Sequence, residues 1–354
     1  MLLIASLAAC ALQGRRLDSP VIRDLCAWMT NPELAPEFCA RETRLHKVAV
    51  ADFDGLRGVM ALEDIAPGEE IVAIPARFAL DLGTSSTDPL AAAEKLCVER
   101  IADQYTLERP AYFAVLPPPG SPDLCTPEFF DEAELAELQQ WPLLLEAAQR
   151  RRAAVEASYL ATDKAEAAAL LWAQWAVLSR VLTVAGPDGR GHKLLIPFMD
   201  LFNHDRGSAH VLTGRSDGLL KVVAGAPIAE GEQVCISYGD ASTSNAELLD
   251  QYGFVDTSPE MLVPDQALLR HYSYTTAPYR QPPFNTHLFI SLATPPFISL
   301  QELLRRHPEA VAALSASSVA EDEALLEDGG LSPHARLAVL LRLQLKRARD
   351  AASL

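Results

Sequence analysis

No two cysteines in this chain stand two residues apart and none adjoins a histidine; the six lie singly at 10, 26, 39, 97, 125 and 235. That scatter excludes a cysteine-based zinc site and a disulfide framework, and reduced thiols fit an intracellular compartment, cytoplasmic or plastid. Long apolar runs are missing too. The longest uncharged helical stretch, residues 167–179, is too short to cross a bilayer and reads as a buried helix. Basic residues are scarce: 30 Lys and Arg stand against 47 Asp and Glu, a net charge of −17. Phosphate binding needs clustered cations, so nucleic acid is excluded as a partner. An acidic surface instead steers basic protein segments inward.

What is present is a 354-residue chain with 49% hydrophobic residues, enough for one large core or two smaller ones. Residues 1–12 are uncharged and rich in Leu and Ala. They read either as a leader or as the start of a helix running on to Met29; no basic residue precedes them as in a signal peptide. A helix is predicted over 20–37. Short β-branched segments follow at 46–53, 58–63 and 70–74, the last two joined by a turn at Ala66-Pro67-Gly68-Glu69. Apolar spacing then predicts helices at 91–104, 131–140, 142–160 and 165–182. Strands return at 193–196, 209–213, 219–224 and 233–237, with a second turn of the same kind at Ala229-Glu230-Gly231-Glu232. A final helix opens on Ser332 and Pro333. Its Arg342, Lys346, Arg347 and Arg349 read as a solvated face at the negative end of the helix dipole. Strands, helices, strands, helices, without βαβ alternation, give an α+β fold in which a sheet domain is interrupted by an insertion.

Three segments concentrate polar groups at strand ends. In Asp54-Gly55-Leu56-Arg57-Gly58, two glycines permit positive φ or close approach to backbone; a hairpin turn uses the same residues. Pro197-Phe198-Met199-Asp200-Leu201-Phe202-Asn203-His204-Asp205 places polar groups just after a strand. His192, His204, His210 and Asp200 are conceivable metal ligands, but no H-E-x-x-H or cysteine pair supports a metal, and none is expected. Ile236-Ser237-Tyr238-Gly239 ends a strand, a helix begins near Ser244-Asn245, and Tyr252-Gly253-Phe254 follows.

Taken together, these segments resemble the motifs of the SET-domain methyltransferases. Gly58-Val59-Met60-Ala61 with Asp64-Ile65, Gly68-Glu69 and Ile74-Pro75 resembles the opening motif, and Asp200 with Asn203-His204 the central one. Ser237-Tyr238-Gly239 with Ser244-Asn245-Ala246-Glu247-Leu248-Leu249 and Tyr252-Gly253-Phe254 resembles the closing one. The pattern is similar to the subgroup that includes the Rubisco large-subunit lysine methyltransferase and the actin-histidine methyltransferase. Tyr112 to Phe130 also looks like that subgroup's insert. The resemblance covers roughly 45–256 and implies a leader and helix at 1–44, a SET domain at 45–83 and 191–256, a helical insert at 84–190, and a shortened helical substrate-binding domain at 257–354.

The resemblance further implies S-adenosylmethionine as cofactor. Leu56, Arg57 and Gly58 would hold it through backbone groups, as would Asn203 and His204, and Arg180 would reach its carboxylate. On sequence alone Arg180 is as readily a helix-end cation facing water. Asp200 would shape the acceptor channel, Tyr238 would be the catalytic tyrosine, and Tyr252 and Phe254 would line the channel or stack on adenine. The implied activity is methylation of a lysine on a non-histone protein, with no nucleic-acid or membrane partner. A histidine acceptor, and a SET-like module that binds protein without catalysis, are the alternatives.

Overall fold

The computed structural model describes residues 13–139, 142–186, 188–214, 217–239, 243–257 and 316–352. The expectations for residues 1–12 and for most of 257–354 lie outside the described residues. Within them the fold is α+β, with eleven short strands in three sheets and helices around them.

The first sheet runs β1 (Arg15–Arg16), β2 (Val48–Phe53), β3 (Leu56–Ala61), β11 (Gln233–Ile236), β8 (Asn203–His204). The β2–β3 hairpin turns on Asp54 and Gly55, both at positive φ, the two-residue turn whose twist matches antiparallel strands. Hence Leu56, Arg57 and Gly58, expected as a cofactor loop, are the first residues of a strand; the turn is confined to the two residues before them. Val48, Val50, Val59 and Ala61 face the main core, while Ala51, Phe53 and Met60 form a small cluster on the opposite face, as strand alternation requires.

The second sheet is β4 (Glu70–Pro75), β10 (Leu219–Val223), β9 (Val211–Gly214), and the third is β5 (Leu80–Thr84), β7 (Gly191–Leu195), β6 (Leu182–Ala185). The paired turns at 66–69 and 229–232 are wired alike. In each, a glutamate carboxylate accepts from the backbone N–H three residues earlier, Glu69 from Ala66 and Glu232 from Ala229. An antiparallel bridge between Ile65 and Ile228 sets the two turns side by side.

Helix α1 (Pro20–Thr30) is shorter than expected, because Asn31 precedes Pro32 and is extended. Between β5 and β6 lie α2 (Pro89–Thr106), α3 (Pro110–Val115), α4 (Glu132–Ala136), α5 (Pro142–Glu156) and α6 (Lys164–Arg180). The last ends two residues early: Val181 is extended at its C-cap and the β-branched Thr183 and Val184 lie in β6, so the insert is not wholly helical. Helix α7 (Asn245–Tyr252) opens on a capping box of Ser244 and Glu247. Helices α8 (Val319–Asp328) and α9 (Pro333–Ala352) close the described chain.

Two of the four basic residues of α9, Arg342 and Lys346, depart from the expected solvated face; Arg347 is exposed as expected, and the side chain of Arg349 lies outside the described residues. Arg342 and Lys346 are buried, and both bond to the buried carboxylate of Asp322 on α8: Lys346 Nζ at 2.6 Å and Arg342 Nη2 at 2.8 Å. Arg347 pairs with Glu323 at 2.6 Å. Leu341, Leu343 and Leu345 are buried beside Arg342 and Lys346, and the first exposed residue of this stretch is Arg347.

Candidate active site

Two chain segments meet at the edge of the first sheet. β8 pairs with β11 in parallel, Asn203 opposite Cys235 and His204 opposite Ile236, so Tyr238 emerges beside the Asn-His dipeptide. The Tyr238 backbone N–H donates to His204 Nδ1 at 3.0 Å, and its hydroxyl donates to the Phe202 carbonyl at 2.5 Å. Burial raises the Tyr238 phenol above its ordinary value, so it is a neutral donor near neutral pH.

Tyr252 donates its hydroxyl to the Tyr238 carbonyl at 2.8 Å, with ring centroids 4.8 Å apart. Phe254 lies 5.7 Å from the His204 ring and 6.3 Å from each tyrosine. These four rings form one aromatic wall. Asn245 holds it by receiving the Asp256 N–H at 2.8 Å and donating to the Asp256 carbonyl at 2.7 Å, and Gln344 of α9 donates to that carbonyl at 2.8 Å.

On the other strand, Asn203 Nδ2 donates to the Arg57 carbonyl at 2.9 Å, which joins the first and second motifs. Gly58 has no room for a side chain: a Cβ there would lie 2.7 Å from Asn203 Nδ2 and inside contact with the Gln233 amide. Close approach, not backbone freedom, is why glycine stands there.

A charged cluster flanks this arrangement. Asp200 has a side chain 1% exposed, and Arg180 Nη1 sits 3.7 Å from its carboxylate and 3.1 Å from its carbonyl. The Arg180 guanidinium also lies over the Trp175 ring at 5.0 Å. Arg180 is therefore turned inward; it is not a helix-end cation facing water. Tyr112 on α3 donates to Asp200 Oδ2 at 3.0 Å, and Arg57 donates to the Val115 carbonyl of the same helix at 3.0 Å. Burial raises the Asp200 carboxyl, while Arg180, Tyr112 and Arg57 oppose that rise.

All the expected site residues thus gather in one region, and Leu56 joins it only as a half-buried strand residue. Sequence reasoning gave no site role to Tyr112 or Gln233, and placed Asn245 only in the closing motif at a helix start. Tyr112 is 88 residues from its partner Asp200 and carries no local signal. Among the described residues, no cluster of His, Cys, Asp and Glu is arranged to hold a metal, and no helix is long and apolar enough to cross a membrane. His192 instead bonds Asp81 and Asp188, at 2.8 and 3.2 Å.

His204 gives a pH signature. Burial, reinforced by Arg206, pushes its imidazole down to about 4 from an ordinary 6.5. Between those values the unfolded chain binds a proton that the folded chain refuses, so stability falls as pH drops through this window. Urea unfolding should show a loss on the order of 3 kcal/mol from this group between pH ~6.5 and ~4, absent in His204→Gln. Equal slopes in the two proteins would contradict the assignment.

The sequence profile of the SET domain matches residues 55–239. Among curated proteins nothing matches. Among solved structures, Rubisco LSMT bound to AdoMet is similar at a TM-score of 0.61 and 18% identity, over 95% of this chain and 91% of that one. The SET domain of LSMT bound to MeLysine and AdoHcy is similar at a TM-score of 0.65 and 19% identity, over 94% and 90%. At this identity the likeness establishes the fold.

Proposed function

Because the chain belongs to the SET-domain family, we propose that it is an S-adenosylmethionine-dependent protein-lysine N-methyltransferase acting on a non-histone protein. The observation that carries this reading is the neutral Tyr238 hydroxyl, fixed on the Phe202 carbonyl inside an aromatic wall and next to Asn203-His204. LSMT structures of the same fold were solved with AdoMet, and with MeLysine and AdoHcy, which supports the choice of donor and acceptor.

The residues fit such a donor. Arg180 Nε and His204 Nε2 are buried polar atoms without a hydrogen-bond partner among the described residues, so a polar ligand beside them satisfies groups otherwise costly to bury. Arg180 would take the donor's carboxylate, Asn203, His204 and the Leu56–Arg57–Gly58 backbone its polar edges, and Phe254 its adenine. When bound, the donor supplies an electrophilic methyl group on a sulfonium.

The chain's own groups do the rest. A lysine amine, ordinarily at about 10.4, must shed its proton before it can attack. Tyr238 cannot take that proton, since its phenol is itself protonated and pushed upward by burial. It instead positions the amine, which must approach in line at about 3–3.5 Å. Exclusion of water by Tyr252, Phe254 and His204 lowers the amine's proton affinity, and the proton leaves to solvent. Asp200 and Arg180 shape the acceptor side. The surplus of negative charge favours a lysine in a basic segment.

Incubation of the protein with methyl-labelled donor and a cell lysate, followed by mass spectrometry, tests the reading. Label on lysine of a non-histone protein is expected. Label on histidine overturns the acceptor, and bound donor with no label anywhere overturns the activity in favour of a protein-binding module.

A further inference from the structure

Gln233 opens β11 opposite Met60 and is 5% exposed. Neither its Oε1 nor its Nε2 has a hydrogen-bond partner among the described residues. The side chain lies over the Cα of Gly58, where a Cβ would strike both its amide and that of Asn203. Two carboxamides therefore share the space left by one missing side chain. They differ in one respect: Asn203 Nδ2 is committed to the Arg57 carbonyl, whereas the Gln233 side-chain amide has no hydrogen-bond partner among the described residues.

A buried amide with both ends unpaired carries the desolvation of a donor and an acceptor with nothing in return. An apolar side chain of the same shape fits such a position better, so the amide calls for a partner from outside the chain. That partner must present an acceptor and a donor close together in a water-poor place. The zwitterionic end of an amino acid does so, its ammonium suiting Oε1 and its carboxylate Nε2.

We propose that Gln233 is a further donor-binding residue, which with Asn203 holds the amino-acid end of the methyl donor over Gly58. This rests on the methyltransferase reading above. It adds a contact from β11, the strand that leads into Tyr238, so one strand both grips the donor and delivers the tyrosine.

The test is Gln233→Met, which keeps length and removes the polar atoms, compared with wild type by calorimetric titration with S-adenosylhomocysteine and by thermal melting. The expected result is a divergence: the ligand-free variant melts higher, and its Kd rises about tenfold or more. A Kd within about twofold of wild type overturns the proposal, as does a lowered melting point with affinity unchanged, the mark of a purely structural amide. If Gln233→Met does not fold, Gln233→Glu, which matches the native shape, is judged by the same affinity criterion. Wild type that binds no S-adenosylhomocysteine overturns both this proposal and the methyltransferase reading; wild type and variant binding alike overturn this one alone.

Discussion

Tyr238→Phe is expected to lower kcat on the order of 10²-fold while leaving donor affinity within about twofold of wild type. The asymmetry follows from what the hydroxyl touches. It donates to the Phe202 carbonyl at 2.5 Å and makes no bond to Arg180, Asn203 or His204, the groups assigned to the donor. The ring keeps its tilted contact with Tyr252 and its edge contact with Phe254, and the backbone N–H keeps His204 Nδ1, because neither needs the phenolic oxygen. What disappears is the polar group that orients the attacking nitrogen, an interaction that matters in the transition state more than in the ground state. Single-turnover transfer with labelled donor, alongside calorimetry, separates the two quantities. A variant that transfers at near wild-type rate would remove Tyr238 from the catalytic role; one that loses donor binding in proportion would make it part of the donor's cradle.

Asp322→Ala should be among the most damaging changes to stability in the described chain, costing about 3–5 kcal/mol in urea unfolding. Both cations that it serves are buried, and Lys346 also bonds Ser317 at 2.6 Å. Without the carboxylate, an ammonium and a guanidinium stay in a poorly hydrated space with little to offset their charge. Glu137 bonds Arg342 from α4 but leaves Lys346 without a carboxylate. The site should feel the loss, since α9 carries Gln344, which bonds the Asp256 carbonyl at the base of the aromatic wall. A loss below about 1 kcal/mol would mean that water reaches the cluster and screens it.

These charges show where the sequence stopped being legible. Arg342 and Lys346 are four apart on a helix, and Asp322 lies on the helix before; each fits an exposed face as well as a buried one. Leu341, Leu343 and Leu345 between them were the available sign that this stretch has little free face. The Asn-His and tyrosine motifs were legible for the opposite reason. Asn203-His204 make up the short strand β8 and Tyr238 stands two residues beyond the end of β11, positions marked by local alternation and turn chemistry. The twin turns could likewise be read from four residues apiece, because their bonds run from a side chain to a backbone three positions away. Tyr112 with Asp200, and Gln233 with Gly58, could not be read: their proximity follows from the packing of distant segments, which local patterning does not encode. Leu56 to Gly58 misled because a tight hairpin compresses a loop into two residues, leaving strand where loop was expected.

The Asn203–Arg57 bond joins positions 146 residues apart, and nearly all the intervening helices leave the sheet layers and return to them between β5 and β6. Closing a long excursion grows only logarithmically in entropy, roughly 0.6 kcal/mol for each doubling of length. The exposed connections between those helices can therefore be lengthened at little thermodynamic penalty, whereas the buried faces of α2, α3 and α6 belong to the main core and are held by its packing. Such a layout lets the outer loops of the excursion vary in length while the contact between Asn203 and Arg57 stays fixed.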